Sequence, residues 1–164
     1  MSHRTPRLHL IVLDTSGSMR RGGRLALAKG YAARLVEQAA RAGDHVALLS
    51  FGGKGVELLL PPSPARAAIS TRVRSLGGGG GTPLTACLRE AERVLQQARR
   101  RDGLLSSDNC WLWLLTDGRT LEQPTAPATA GNIVIVDFES AARPLGRCAA
   151  WARQWGAEHR PATI

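Results

Sequence analysis

Three short segments carry oxygen-bearing side chains in positions where chemistry can be done. Asp14-Thr15-Ser16-Gly17-Ser18 follows the apolar run Leu8 to Leu13 (LHLIVL), and Thr116-Asp117-Gly118 follows Trp111 to Leu115 (WLWLL). Thr82 ends a run of five glycines, Gly77 to Gly81. In Asp-x-Ser-x-Ser the alternate residues of an extended turn can face one point, and Gly17 lets the backbone bend between the two serines. Asp14, Ser16, Ser18, Thr82 and Asp117 together offer two carboxylates and three hydroxyls, with no His or Cys among them. Such hard oxygen donors suit Mg²⁺, or Mn²⁺, and do not suit Zn²⁺. The aspartates supply charge, while hydroxyls and water supply neutral ligands, so one or more positions on the metal stay open. The glycines before Thr82 allow that loop to shift when an outside ligand arrives.

Each segment also has a plainer reading. Asp and Ser often cap helices, and Asp14 with the two serines could cap the helix that follows; it is the addition of Thr82 and Asp117 that favours a metal. Asp117-Gly118 is expected to be a turn as well as part of the metal shell. The glycine run is not a phosphate-binding P-loop, because no Gly-x-x-x-x-Gly-Lys-Ser/Thr occurs. Ser16 is no nucleophile, since the chain has no Gly-x-Ser-x-Gly elbow and no His placed to serve as its base. Asp137 and Glu139 read as structural or rim residues, His9 and His45 as packed or edge histidines. The site, Asp14 included, is expected at the surface.

The elements that must position these residues alternate. Leu8 to Leu13 is a nearly unbroken apolar run, and His45 to Phe51 (HVALLSF), Trp111 to Leu115 and Ile133 to Val136 (IVIV) are mostly apolar too, the signature of strands buried on both faces. A short strand, Val56 to Leu60, is expected to stop at Pro61-Pro62. Helices are predicted over Leu25 to Ala42, with Leu27, Tyr31, Leu35 and Ala39 as its buried stripe, and over Pro64 to Leu76. Another is predicted from Pro83 to about Arg101, with Leu84, Leu88, Ala91 and Leu95 inward and Thr82 as its N-cap. Leu145 to Gly156 forms a last helix and His159 to Ile164 a closing edge strand. Trp111 and Trp113 should share one side of their strand, and Trp151 and Trp155 one side of the last helix. Strands separated by helices imply right-handed crossovers and a mainly parallel, doubly wound α/β sheet with helices on both faces. In such sheets ligands bind at the carboxyl ends of the strands, where the oxygen-rich segments fall.

A chain of 164 residues fits one compact domain, here 8–164 behind a flexible tail of 1–7. No apolar run is long enough to span a bilayer, and Met1 to Arg7 has no apolar signal region. Cys87, Cys110 and Cys148 are odd in number and share no metal-ligand spacing, which points to reduced thiols in a cytoplasmic protein. These features exclude a membrane protein, a fibrous repeat and a secreted disulfide scaffold. Lys and Arg number 22 against 13 Asp and Glu, a net charge of +9. A basic surface attracts nucleic acid or an acidic partner. The arginines are scattered, however, and their one tight cluster, Arg99 to Arg101, falls at a predicted helix end, where cations are locally favourable. Nucleic acid is therefore not the expected partner.

The three-part pattern resembles the von Willebrand factor A, or integrin I, domain and its metal ion-dependent adhesion site. The resemblance implies that Ser16, Ser18 and Thr82 ligate the metal, that Asp14 and Asp117 act directly or through water, and that a partner's Asp or Glu completes the shell. Arg119, next after Asp117 and its glycine, reads equally as a rim contact to an acidic partner or as a solvated arginine, and Gly81 is expected at the same partner-binding rim. Further stretches are similar to the C-terminal integrin-like domain of magnesium-chelatase D subunits: Gly43-Asp44-His45-Val46-Ala47-Leu48, Val56 to Pro62, Gly79 to Leu84, Leu115 to Arg119 and Val134 to Ser140. In that family the D subunit helps an AAA+ ATPase drive Mg²⁺, or Co²⁺ in related cobalamin enzymes, into a tetrapyrrole. No ATPase-like segment precedes Leu8, so the resemblance implies a stand-alone D-like subunit. Its expected partners are an AAA+ ATPase on another chain and the large chelatase subunit, and it would be non-catalytic. Two alternatives remain: a nucleic-acid or ribonucleoprotein-associated module of the same fold, and a metal-dependent hydrolase using Asp14 and Asp117.

Overall fold

The computed structural model describes residues 5–78, 82–140 and 144–162. Six strands form one sheet in the order β3-β2-β1-β4-β5-β6. They are β1 (Leu8–Asp14), β2 (His45–Gly52), β3 (Gly55–Pro64), β4 (Cys110–Thr116), β5 (Asn132–Asp137) and β6 (Glu158–Pro161). All neighbours pair in parallel except β2 and β3, a hairpin at one edge. The helices are α1 (Gly17–Arg20), α2 (Arg24–Ala42), α3 (Ala67–Arg74), α4 (Leu84–Arg101) and α5 (Arg147–Trp155). This is the doubly wound α/β architecture expected from the alternation of apolar runs and helical stripes.

Successive side chains of β1 alternate between two cores. Leu8, Leu10 and Val12 pack with Leu84, Leu88 and Leu95 of α4 and Trp151 of α5. Ile11 and Leu13 pack with Ala28, Leu35 and Val36 of α2 and Val73 of α3. A strand buried on both faces has no use for polar alternation, which is why LHLIVL is apolar but for His9, whose ring nitrogens meet Trp113 and Asp44.

Several local expectations are corrected. β3 does not stop at Pro61-Pro62 but continues to Pro64. It is an edge strand, with register shifts against β2 around Leu48, and an edge tolerates prolines whose missing N–H would have faced solvent. The buried stripe of α2 is Leu25, Ala28, Ala32, Leu35, Val36 and Ala39, while Leu27 is 40% exposed and Tyr31 half-buried. Strict i+4 spacing advances about 40° per step around a helix of 3.6 residues per turn, so one line of such positions leaves the core. Thr82 is not the N-cap of α4: Pro83 holds that position. The Thr85 amide, in the first turn, is instead taken by the Glu122 carboxylate at 2.9 Å. The tail reading meets a tether at Arg7, whose amide donates to Asp44 (3.0 Å) and whose carbonyl accepts the His45 amide (2.8 Å).

Other expectations hold. Trp111 and Trp113 stack with centroids 5.8 Å apart, and Trp151 and Trp155 with centroids 6.0 Å apart. His9 is a packed histidine, accepting Trp113 Nε1 on Nδ1 and meeting Asp44 at 3.1 Å through Nε2. The three cysteines are free and buried, and burial pushes the Cys110 thiol up to about 11.

Candidate metal centre

The strand order reverses direction at β1 and β4: from β1 the chain proceeds outward to β2 on one side, and β4 lies on the other. The carboxyl ends of these two strands therefore flank the crevice where open α/β sheets bind ligands. Asp14 ends β1 and Thr116 ends β4.

After Asp14 the chain is pinned before it turns. The Thr15 amide donates to the Phe51 carbonyl at 2.9 Å, and its hydroxyl to the same oxygen at 3.2 Å. The Ser16 amide donates to Asp14 Oδ1 at 2.8 Å, an Asx turn that aims the serine back toward the aspartate. The single-turn helix α1 then carries Ser18, with the fully buried Met19 as its anchor. The Ser16 and Ser18 hydroxyls end 3.4 Å apart.

From the β4 side, the Thr116 hydroxyl donates to Asp14 Oδ2 at 2.6 Å and accepts the Gly118 amide at 3.1 Å. Thr116 thus joins the two strand ends. Asp117 Oδ1 accepts the Arg119 amide at 3.1 Å, which fixes the carboxylate's orientation. Its Oδ2 is buried and has no hydrogen-bond donor. A cation approaches it, the Arg24 guanidinium, whose Nε lies 4.0 Å from Asp117 Oδ2 and is itself buried and unbonded.

Four of the five expected ligands thus form one cluster. Asp14, Ser16 and Ser18 are linked directly, and Asp117 is linked through its chain neighbour Thr116. Thr82 makes no hydrogen bond to the other four; it precedes α4, whose Cys87 feels the Asp14 charge. Since Thr82 does not cap the helix, its hydroxyl is not committed there. Gly81, expected at the rim, lies outside the described residues. The glycine run has a steric reason at Gly78, where a β-carbon would lie 2.8 Å from the Thr15 carbonyl and 2.6 Å from Leu25 Cδ2. A larger residue there would push the loop off the first oxygen-rich segment.

Asp14 and Asp117 are both almost completely buried, which corrects the expectation of a surface site. Burial raises the Asp14 carboxyl to about 6, against hydrogen bonds from Ser16 and Thr116 that lower it. A buried, unmet carboxylate oxygen in a folded protein calls for a counter-ion or water. Among the described residues no three His, Cys, Asp or Glu side chains converge. A cation in this cluster would be held by two carboxylates, hydroxyls and water, a donor set that fits Mg²⁺ or Mn²⁺. Asp137 stands apart as a structural residue, its Oδ2 met by His159 at 2.8 Å. Glu139 accepts the Leu145 and Gly146 amides on Oε1 at 2.9 and 3.0 Å, while its Oε2 is buried without a hydrogen-bond partner. Sequence reasoning assigned no role to Thr116 or Arg24. Thr116 had a signal, as the strand-end hydroxyl beside Asp117; Arg24 had none beyond a basic residue opening a helix.

The comparisons agree with this architecture. A family model for the von Willebrand factor type A domain matches residues 9–119, and the chain belongs to that family. The 60 kDa magnesium-chelatase subunit of Cereibacter sphaeroides is 43% identical over 113 residues, covering 69% of this chain and 19% of that protein. An uncharacterised protein of Mycobacterium tuberculosis is 32% identical over 161 residues, covering 92% of this chain and 25% of its own length. The chain therefore spans about a fifth to a quarter of these relatives. A von Willebrand factor type A structure from Catenulispora acidiphila superposes with a TM-score of 0.67 at 18% identity, covering 98% of this chain and 39% of that one. The domain is related to those of magnesium-chelatase subunits.

Proposed function

We propose that this domain is a Mg²⁺-dependent docking module that serves as a D-like subunit of a chelatase-type assembly. The observation that carries the reading is the buried Asp117 Oδ2, without a donor, just past the end of β4, the strand that neighbours β1 with its Asp14, Ser16 and Ser18 at the sheet's switch point. Asp14, Ser16, Ser18, Thr82 and Asp117 would hold Mg²⁺, which would supply a positive charge and an open position for an Asp or Glu of a partner. The protein's own residues do the rest. Thr116 and the Ser16 amide hold Asp14 in one orientation, the Arg119 amide holds Asp117, and the burial of both carboxylates raises the value of each charge. Arg119 and Gly81 form the rim against the partner. A cleft of about 600 Å³ opens beside Thr15, between the β2–β3 turn and Leu76 to Gly78, and could take part of a partner that docks on this face.

The partner is an AAA+ ATPase of the chelatase type, with the large chelatase subunit as a further contact. The work of the assembly is metal insertion into a tetrapyrrole, in the magnesium or the cobalamin branch. The kinship with magnesium-chelatase subunits supports this part. In this reading the domain itself is non-catalytic and its setting is that of a cytoplasmic assembly. Among the described residues no helix is long and apolar enough to cross a membrane.

Retention of the ATPase on the immobilised protein, with Mg²⁺ or EDTA at fixed ionic strength, tests the reading. EDTA and Thr82→Ala should weaken the complex alike, by about tenfold or more, because both act on one carboxylate-to-metal contact. Equal retention in both lanes, lost only as salt rises, would assign the attraction to the basic surface instead.

A further inference from the structure

Arg24 occupies a position that helix electrostatics disfavours. It is the first residue of α2, and no acidic side chain lies in that first turn to offset a cation at the positive end of the helix dipole. Its guanidinium is nonetheless drawn inward. Nη2 donates to the Ser18 carbonyl at 2.7 Å, within the first oxygen-rich segment, and Nε faces Asp117 Oδ2 at 4.0 Å, beyond hydrogen-bond reach. The side chain is 13% exposed and that of Asp117 is fully buried, so water does little to screen the pair. Both facing atoms are buried and lack hydrogen-bond partners. A fixed positive charge therefore bridges the two halves of the site without saturating the carboxylate.

We propose that Arg24 is a built-in counter-cation of the metal site: it compensates Asp117 when no metal is bound, and it competes with the metal for that carboxylate. The proposal rests on the metal-site reading above. The carboxylates of Asp14 and Asp117, set against the one guanidinium beside Asp117, leave the metal-free site with a single net negative charge, which a partner's carboxylate avoids. A divalent ion turns that into a single net positive charge, which one partner carboxylate neutralises. Arg24 thus lowers metal affinity and makes the sign of the site depend on loading. Without Arg24 the two aspartates alone would cancel the ion and leave little charge for a partner.

The test is Mn²⁺ titration by calorimetry, together with thermal melting of the metal-free protein, for wild type, Arg24→Gln and Arg24→Lys. The Gln variant keeps an amide group at the level of Nε, loses the bond to the Ser18 carbonyl and loses the charge. It should bind Mn²⁺ about tenfold more tightly and melt lower without metal. The Lys variant should bind within about twofold of wild type, because the charge remains. A merely structural arginine would weaken both binding and stability, and a folded Gln variant with unchanged or weaker Mn²⁺ binding overturns the proposal. A second measurement needs no variant fold. In wild type, the Arg24 Nε–H NMR resonance should move as Mg²⁺ loads, and a resonance that stays put while the ion binds overturns the proposal too. Equal Mn²⁺ binding by wild type and Asp14→Ala would reject the site itself. Binding lost in Asp14→Ala but unaltered in Arg24→Gln would reject only the role of Arg24.

Discussion

Asp117 and Asp137 sit at the carboxyl ends of neighbouring parallel strands, and each uses Oδ1 in the same way. Asp117 accepts the amide of Arg119, and Asp137 that of Glu139, two residues on in both cases. Asp14, at the end of β1, does the same with Ser16. The three differ in what meets the second oxygen. Asp137 Oδ2 has the His159 imidazole of β6 at 2.8 Å, and Asp14 Oδ2 has the Thr116 hydroxyl at 2.6 Å. Asp117 Oδ2 has no donor, only Arg24 Nε at 4.0 Å. One local motif thus yields a satisfied structural carboxylate at β5 and an unmet one at β4. The contacts that decide between them come from segments remote in the chain.

The sharpest way to break this comparison is to neutralise each carboxylate in turn. Asp117→Asn should cost about a thousandfold in Mn²⁺ affinity, since it removes half of the site's negative charge, while Asp137→Asn should leave that affinity unchanged. Calorimetric titration of both decides it, and comparable losses would erase the distinction drawn between the two strand ends.

Asp14 sharpens the comparison through stability. Its carboxyl, near 6 in the folded metal-free protein against 3.8 ordinarily, binds its proton more tightly when folded than when unfolded. The contribution of this group to stability is therefore full below about pH 4 and is lost as pH rises through about 6, amounting to about 3 kcal/mol at neutral pH. Denaturant melts in EDTA should show that decline, and Asp14→Asn should flatten it and stabilise the metal-free protein at pH 7 by up to about 3 kcal/mol. An Asn variant less stable than wild type at pH 7 would show that the hydrogen bonds from Ser16 and Thr116 outweigh the cost of burial.

The smallest effect is expected at the satisfied end. His159→Ala removes the partner of Asp137 Oδ2, a half-exposed contact on the edge strand, and should cost about 1 kcal/mol. Mn²⁺ binding should stay within about twofold, because the two sites share no partner. A larger loss of metal affinity in melts and titrations of this variant would mean that the strand ends are coupled.

Much of this was legible in the residues themselves. Unbroken apolar runs specify strands covered on both faces, because a side chain that meets a helix on either side gains nothing from polarity. An aspartate at the end of such a run, followed by Ser or Gly, specifies its own turn, because the i to i+2 hydrogen bond is local. The two oxygen-rich segments therefore identified four of the five clustered or adjoining donors, and the family resemblance rested on the same residues. What depended on phase or on a distant neighbour was not legible. The i+4 line through Leu27 and Tyr31 drifted off the core, and the prolines of β3 were tolerated because that strand is an edge, a property of the whole sheet. Glu122, not Thr82, serves the first turn of α4 because a loop more than thirty residues on folds back to it. The tertiary structure alone buried Asp14, set Thr116 across to it, gave Asp137 its histidine and brought Arg24 to Asp117. Each of these is a contact between groups far apart in sequence, and a carboxylate's charge state and spare valence are set by whatever the fold brings within a few ångströms of its second oxygen.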